Sequence, residues 1–472
     1  MTARKYVDLF AGCGGLSLGL EKAGFELSLA VEKSDMAAET FFHNLVEQIT
    51  DQLEWIEFSA LSTAVEEQAK RKLVVRELSA VLECKALLGD LKEVGIDLVA
   101  GGPPCQGFSL AGRRNPDDVR NQLPWQFLEL VAAVQPKSVL IENVSGMMQD
   151  FRKHGKSSPF NDLRIALSET APGYVVQPLH LNAMHFGVPQ HRPRVMLVAI
   201  RRDIASKLDL TVTEEIWRSE YDFTPSKNFL QRPSLAPHAT HFGKDLRTVR
   251  DAIGDLSKGG YSRSNQLSDF AVEMRSDRGW GGVACGAKRS TSQVKNHVLR
   301  RHAARIEMRF RLYQYLRDQD INSRLLGIPK DENLTDQGKR IAITSELAHA
   351  AFPARGSDGT VIAENLTQLV DRIVELGTKK HSQRPLKRTA PSPTVVSLPD
   401  DYVHPTEPRT LTVRELARFQ SFPDAFEFRA KETTGSLRRR VEVPQYTQVG
   451  NAVPPKLAEA VGRHIMEVLS RA

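Results

Sequence analysis

The stretch Tyr6-Val7-Asp8-Leu9-Phe10-Ala11-Gly12-Cys13-Gly14-Gly15-Leu16-Ser17 sets an apolar run against a glycine-rich turn and then a helix-compatible segment. Read as strand, turn and helix, it lets the backbone pass close to a ligand at a helix amino terminus. A second apolar run, Leu27 to Val31, ends at Glu32, where a strand-end carboxylate can accept hydrogen bonds from two ribose hydroxyls. Taken alone, the turn is weak evidence and Glu32 could be an ordinary exposed acid. Working outward, Asp97 to Ala100, Ser138 to Glu142 and Arg194 to Ile200 read as further strands. Leu123 to Val134 reads as a helix that Gln135-Pro136 stops. Strands alternating with helical patterns predict an α/β fold, with a parallel sheet covered by helices on both faces.

The loop Gly101-Gly102-Pro103-Pro104-Cys105-Gln106-Gly107-Phe108-Ser109 follows the Asp97 to Ala100 strand, at the sheet edge where ligands bind in such folds. A free cysteine is often only a small buried hydrophobe. Polar neighbours, the proline pair and the strand-end position point instead to a mounted nucleophile, which needs partial exposure and nearby positive charge. Arg192 and Arg194 alternate along a strand and so share a face, from which they could supply that charge and reach a phosphate.

Five segments in this order resemble the DNA (cytosine-5)-methyltransferase family of the bacterial restriction-modification type. They are Val7 to Ser17 followed by Gly24-Phe25, the Cys105 loop, Glu142-Asn143-Val144, Gln190-His191-Arg192-Pro193-Arg194-Val195, and Gln448-Val449-Gly450-Asn451-Ala452-Val453-Pro454-Pro455. The resemblance implies a Rossmann-like core dependent on S-adenosylmethionine, with a second, smaller and irregular target-recognition lobe. It implies cofactor contacts from Phe10, which would stack on adenine, from Gly12, Gly14, Gly15 and Glu32, from Asp90 on the adenine amino group, and from Asn121. Asn451 would cap the last helix near the cofactor.

The same resemblance gives Cys105 the role of adding to carbon 6 of cytosine, so that electron density builds on carbon 5. Glu142 would hold ring nitrogen 3, with Arg192 and Arg194 completing the catalytic set and Asn143 orienting the loop. A base inside a duplex is out of reach, so the target cytosine is expected to be flipped out, at a cost of roughly a few kcal/mol. Phe108 to Asp118, with Arg113 and Arg114, would close over it.

The chain has 472 residues, with 64 Lys and Arg against 57 Asp and Glu, a net charge of +7 that suits a polyanionic partner without establishing one. Its four cysteines, Cys13, Cys84, Cys105 and Cys285, form no CxxC pair and no zinc spacing with histidine, so no metal site is expected. The amino terminus lacks an apolar signal core and no apolar run approaches membrane length, which points to a cytoplasmic, nucleoid-associated protein.

Three segments are expected: a catalytic, cofactor-binding domain over 1–201 with a helical insertion at about 45–88, a target-recognition domain over 202–440, and a segment over 441–472 returning to the catalytic domain. Val74, Leu78, Val81 and Leu82 carry the helical spacing of the insertion. Basic groups in the second region would contact phosphates: Arg300, Arg301, His302, Arg305, Arg309 and Arg311, then Lys379, Lys380 and His381, then Arg384, Lys387 and Arg388. Trp280 could meet DNA or fill a core. Thr389 to Val395 and Arg409 to Gln420 resemble the motif that organises this lobe, with Leu416, Phe419 and Gln420 on a helix. The expected partner is double-stranded DNA bound by a monomer, with a cognate endonuclease acting on the same site without direct contact. An RNA cytosine methyltransferase and a silent DNA-binding homologue are the alternatives.

Overall fold

The computed structural model describes residues 3–104, 122–149, 158–226, 228–229, 231–257, 267–276, 294–380, 383–435, 438 and 441–472. Cys105, Arg113, Arg114, Asn121, Trp280, Cys285 and His381 lie outside the described residues.

One eight-stranded sheet organises the chain. Its strands are β1 (Arg4–Leu9), β2 (Phe25–Val31), β3 (Leu73–Val74), β4 (Leu98–Gly101), β5 (Ser138–Val144), β6 (Tyr174–Asn182), β7 (Pro193–Arg201) and β8 (Trp217–Arg218), in the order β3-β2-β1-β4-β5-β7-β6-β8. The five expected strands all form. The sheet is nevertheless mixed rather than parallel, because β7 runs antiparallel to both β5 and β6. A parallel neighbour needs a long crossover, whereas the connection from Asn182 to Pro193 is short and returns β7 directly alongside β6.

The strands feed two cores, by simple alternation in β1, β4, β5 and β7 and across a register irregularity in β2. Tyr6, Leu27, Leu98, Leu140 and Met196 face one cluster, and Val7, Leu29, Val99, Ile141 and Val195 face the other. Helix α1 (Gly15–Lys22) follows the glycine turn, α2 (Asp35–Leu45) follows β2, and α3 (Gln52–Ser59), α4 (Val65–Lys70), α5 (Leu78–Glu83) and α6 (Lys85–Val94) make up the expected insertion and its flank. That insertion is helical but also contains the third strand: Val74 lies in β3, whereas Leu78, Val81 and Leu82 lie on α5. Helix α7 (Leu123–Val134) matches its expected bounds, and α8 (Pro159–Glu169) follows β5.

Beyond β7, the chain forms α9 (Arg202–Ala205), α10 (Val249–Ile253), α11 (Asp269–Arg275), α12 (Ala304–Asp318), α13 (Asp336–Glu346), α14 (Leu366–Leu376) and α15 (Val413–Phe419). The stretch expected to be irregular thus holds a helical unit of its own. Phe310, Leu312, Leu316, Ile343, Leu369 and Ile373 form its separate core. By contrast, Val249, Phe270, Val413, Phe419 and Phe428 join the first cluster, on the face of the sheet covered by α1.

The carboxyl-terminal helices α16 (Gln445–Asn451) and α17 (Pro455–Ser470) return to that same face. A Cβ on Gly15 would stand 2.3 Å from the Val453 carbonyl oxygen, so only glycine permits this approach between the first turn and the end of the chain.

Helix α15 is wholly buried although it carries three charges. Arg409 forms a bidentate pair with Glu415, whose carboxylate also caps the helix through the Thr412 N–H. Arg418 is held by both Asp424 and Asp255, while Arg414 donates to the carbonyls of Lys295, Pro423 and Phe426. Buried charges are tolerated here because each is paired or hydrogen-bonded.

Candidate active site

The glycine turn and the ends of β1, β2, β4 and β5 share one edge of the sheet. Phe10 leaves β1 with a left-handed backbone (φ 59) and is half-buried. Gly12 and Gly14 also have positive φ, 57 and 96, and Gly14 caps α1. Glu32 is tied to this turn by main-chain donors: the Gly12 N–H at 2.8 Å on Oε2 and the Ser34 N–H at 2.7 Å on Oε1. Burial pushes its carboxyl upward against those two bonds. A Cβ at Gly12, whose N–H this carboxylate accepts, would meet nothing within 4 Å.

Below the turn, Asp8 accepts a 2.6 Å bond from Ser17 Oγ, and its Oδ1 is buried with no hydrogen-bond partner among the described residues. Burial lifts the Asp8 carboxyl to about 7. An open glycine cradle, a strand-end carboxylate and an unanswered buried acceptor fit a polar cofactor with hydroxyl or ammonium donors.

Two residues expected near the cofactor are placed differently from their expected positions in the fold. Asp90 sits within α6, exposed, and is separated from the end of β3 by α5. The acid that follows β3 is Glu77, whose carboxylate lies 3.4 Å from Lys33 Nζ, next to Glu32. Val74 pairs with Val31, which puts the ends of β2 and β3 side by side. The signal was the short run Leu73-Val74-Val75 before Arg76-Glu77, too brief to stand out from the flanking helical pattern. Asn451 does not cap α17. It is the exposed last residue of α16, and Pro454 occupies the cap with Pro455 as first helical residue.

On the other side of the same edge, Arg194 Nε approaches Glu142 Oε1 at 2.9 Å across the antiparallel pair β5 and β7. Glu142 is 8% exposed. Burial raises its carboxyl, and the Arg194 and Arg192 cations pull the other way. A Cβ on Gly102 would stand 3.0 Å from Glu142 Oε2, so the absence of a side chain there lets the carboxylate lie against the backbone that leads into Cys105. Asn143 Nδ2 donates to the Pro103 carbonyl at 2.9 Å and its Oδ1 accepts from the Val144 N–H at 2.8 Å. Asn143 therefore fixes the start of the Cys105 loop to the strand that carries Glu142.

Arg192 is placed differently from its expected role beside a phosphate or base. Its Nη2 donates to the Gly450 carbonyl at 2.8 Å and the Ala452 carbonyl at 3.0 Å, and its Nη1 reaches the Val395 carbonyl and Gln190 Oε1, each at 3.3 Å. With 1% exposure it clamps three distant segments together. The physical reason is that Arg192 precedes β7 rather than alternating with Arg194 along it. The same region docks Ser392, whose N–H donates to the Pro189 carbonyl and whose carbonyl accepts from the His191 N–H.

The basic groups of the helical unit are largely occupied. Arg305 and Arg309 on α12 donate to the Glu375 and Leu376 carbonyls at the end of α14, and Arg311 pairs with Asp358. Arg300 and Lys380 both approach Asp400, and Lys379 pairs with Glu332. Arg301, Arg384, Lys387 and Arg388 are exposed. Among the described residues, no helix is long and apolar enough to cross a membrane.

The sequence model for the C-5 cytosine-specific DNA methylase family matches residues 4–467. The chain is 28% identical to the type II methyltransferase M.DdeI of Desulfomicrobium norvegicum over 462 residues, covering 97% of this chain and 88% of that protein. It is 28% identical to M.AgeI of Thalassovita gelatinovora, covering 99% and 100% of the two chains. A crystal structure described as a DNA modification methyltransferase encoded within a prophage (E. coli) superposes with a TM-score of 0.52 at 23% identity, covering 99% and 100%, and so shares the fold. With a family match over nearly the whole chain, and the acid, arginine and glycine edge in place, the protein belongs to the C-5 cytosine-specific DNA methylase family and is a DNA (cytosine-5)-methyltransferase.

Proposed function

We propose that this enzyme takes S-adenosylmethionine as methyl donor and modifies a cytosine flipped out of a short duplex site, through a covalent adduct with Cys105. The observation that carries this reading is the Glu142 carboxylate, held by Arg194 and laid against Gly102 at the entrance to the Cys105 loop. S-adenosylmethionine, when bound, supplies an electrophilic methyl group. Phe10, the Gly12 to Gly15 turn and Glu32 would hold it, with Glu77 in place of Asp90 as the neighbouring acid and Asn121 and Asn451 at the rim.

The chain's own groups account for the rest. The Cys105 thiolate adds to carbon 6, and once carbon 5 carries the methyl group, loss of its proton to solvent restores the carbon 5–carbon 6 double bond and expels the thiolate. A buried Glu142 whose carboxyl is raised can keep a proton to share with ring nitrogen 3 as charge develops there. Arg194 fixes the orientation of that carboxyl. Arg192 acts by holding the frame rather than by touching the base.

Relatives named as type II methyltransferases support a place in a restriction-modification system, with a separate endonuclease acting on the same site. We assign a monomer on DNA, in the cytoplasm and associated with the nucleoid. Base-resolution bisulfite sequencing of DNA from a methylation-free host expressing the chain, beside a Cys105→Ala control, tests the reading. One recurring protected site, absent in the control, is the expected result. Uniform conversion with soluble protein present overturns it.

A further inference from the structure

A row of side chains crosses the sheet on the face opposite Arg194. Asn143 on β5 is paired with Val195 on β7, Val195 with His180 on β6, and His180 with Arg218 on β8. Directly paired residues share a face, so Asn143, His180 and Arg218 stand on one side of the sheet at its active edge. Ser145, two residues beyond Asn143, opens the 3-10 turn that follows β5.

Hydrogen bonds join two members of this row, Arg218 and His180, to Ser145. Arg218 Nη1 lies 3.1 Å from His180 Nδ1, and His180 Nε2 lies 3.1 Å from Ser145 Oγ. A guanidinium can only donate, so Nδ1 is the acceptor and the proton of the neutral ring sits on Nε2, directed at Ser145. Burial and the Arg218 charge push the imidazole down to about 4, which keeps it neutral near pH 7. Asn143 is joined to Ser145 only along the chain; its own side chain accepts from the Val144 N–H and donates to the Pro103 carbonyl.

We infer that His180 is a positioning residue for methyl transfer: oriented by Arg218, it pins Ser145 and thereby the end of β5, where Glu142 and Asn143 stand and where Asn143 holds Pro103. It touches neither substrate nor cofactor. Its effect should therefore fall on the chemical step, since a displacement of about 1 Å at reacting atoms can cost on the order of 100-fold in rate. This inference rests on the assignment of Cys105 and Glu142 above.

The test uses the full chain and a duplex carrying the site found by bisulfite mapping, with tritium-labelled S-adenosylmethionine. Single-turnover transfer is measured together with DNA and cofactor dissociation constants and thermal unfolding. His180→Phe is expected to slow transfer by about 10- to 100-fold while both dissociation constants stay within about twofold. His180→Gln, which can accept from Arg218 and donate to Ser145, should restore most of the rate. Ser145→Ala, a mild change that keeps the fold, should match His180→Phe, and the double variant should be no slower than either single one.

An unchanged rate in Ser145→Ala and His180→Phe overturns the inference. So does a loss shared equally by His180→Gln, or one that tracks DNA affinity. If the wild-type chain itself transfers no methyl group, the proposed function fails instead, and the two failures are told apart by that control.

Discussion

Arg194 Nε sits 2.9 Å from Glu142 Oε1, and the two residues belong to antiparallel neighbours, β7 and β5. The acid is therefore oriented from the adjacent strand while its other oxygen lies against Gly102. An opposite charge at this distance favours ionisation, so the carboxyl's upward displacement by burial is held in check by its partner.

Removing that cation should let the carboxyl rise further. If transfer depends on protonated Glu142, its rate falls as pH rises through the Glu142 pKa, and Arg194→Gln should move this alkaline limb to higher pH. Single-turnover rates between pH 6 and about 9 check the direction. A limb that moves to lower pH contradicts the role. Glu142→Gln should lose roughly 100-fold or more in rate with DNA affinity nearly kept.

Arg192 predicts a different phenotype. Arg192→Met leaves the Gly450 carbonyl without its buried donor and the Ala452 carbonyl with only Gln420 Nε2 at 3.4 Å, and an orphaned buried group costs about 1–3 kcal/mol. Chemical unfolding should show the loss, while transfer per folded molecule changes far less than in Glu142→Gln. A variant of full stability and no activity would return Arg192 to the catalytic set.

The two ends of the glycine turn should also separate. Gly12→Ala meets open space and carries only the left-handed penalty of about 1–2 kcal/mol. Gly15→Ala drives a Cβ into the Val453 carbonyl, a main-chain atom that cannot swing away. Thermal unfolding should therefore fall more for Gly15→Ala, with cofactor binding lost beside it. Equal effects would show that α1 and the terminal segment are not in tight register.

Asp8 gives a pH signature. Its carboxyl is lifted to about 7 in the folded chain, against about 4 when unfolded. The folded state holds the proton more tightly, so this stabilising contribution is full below about pH 4 and is lost as pH rises to 7. Asp8→Asn cannot ionise. Its stability relative to the wild-type chain should improve by about 1 kcal/mol per pH unit between pH 5 and 7 and level off above. A constant difference across that range would place the Asp8 pKa near its ordinary value.

Local chemistry in the sequence sufficed for much of the frame. Tyr6 to Phe10, Ser138 to Glu142 and Arg194 to Ile200 are apolar runs long enough to announce strands, and the glycines after Phe10 announce the turn, because these signals depend on neighbours in the chain. Leu73-Val74 carried too few residues to show a period, so β3 was hidden within the helical insertion, and the acid nearest its end is Glu77, while Asp90 lies within α6.

What joins across the fold was decided only by tertiary packing. That β7 turns back antiparallel, that Arg192 closes on carbonyls more than 200 residues away, and that Arg409, Arg414 and Arg418 are spent inside the protein all depend on which segments meet. An arginine's letter is the same whether it faces phosphate or a buried carbonyl. Its partner and its solvent exposure, which set its energy and its role, exist only once the chain is folded.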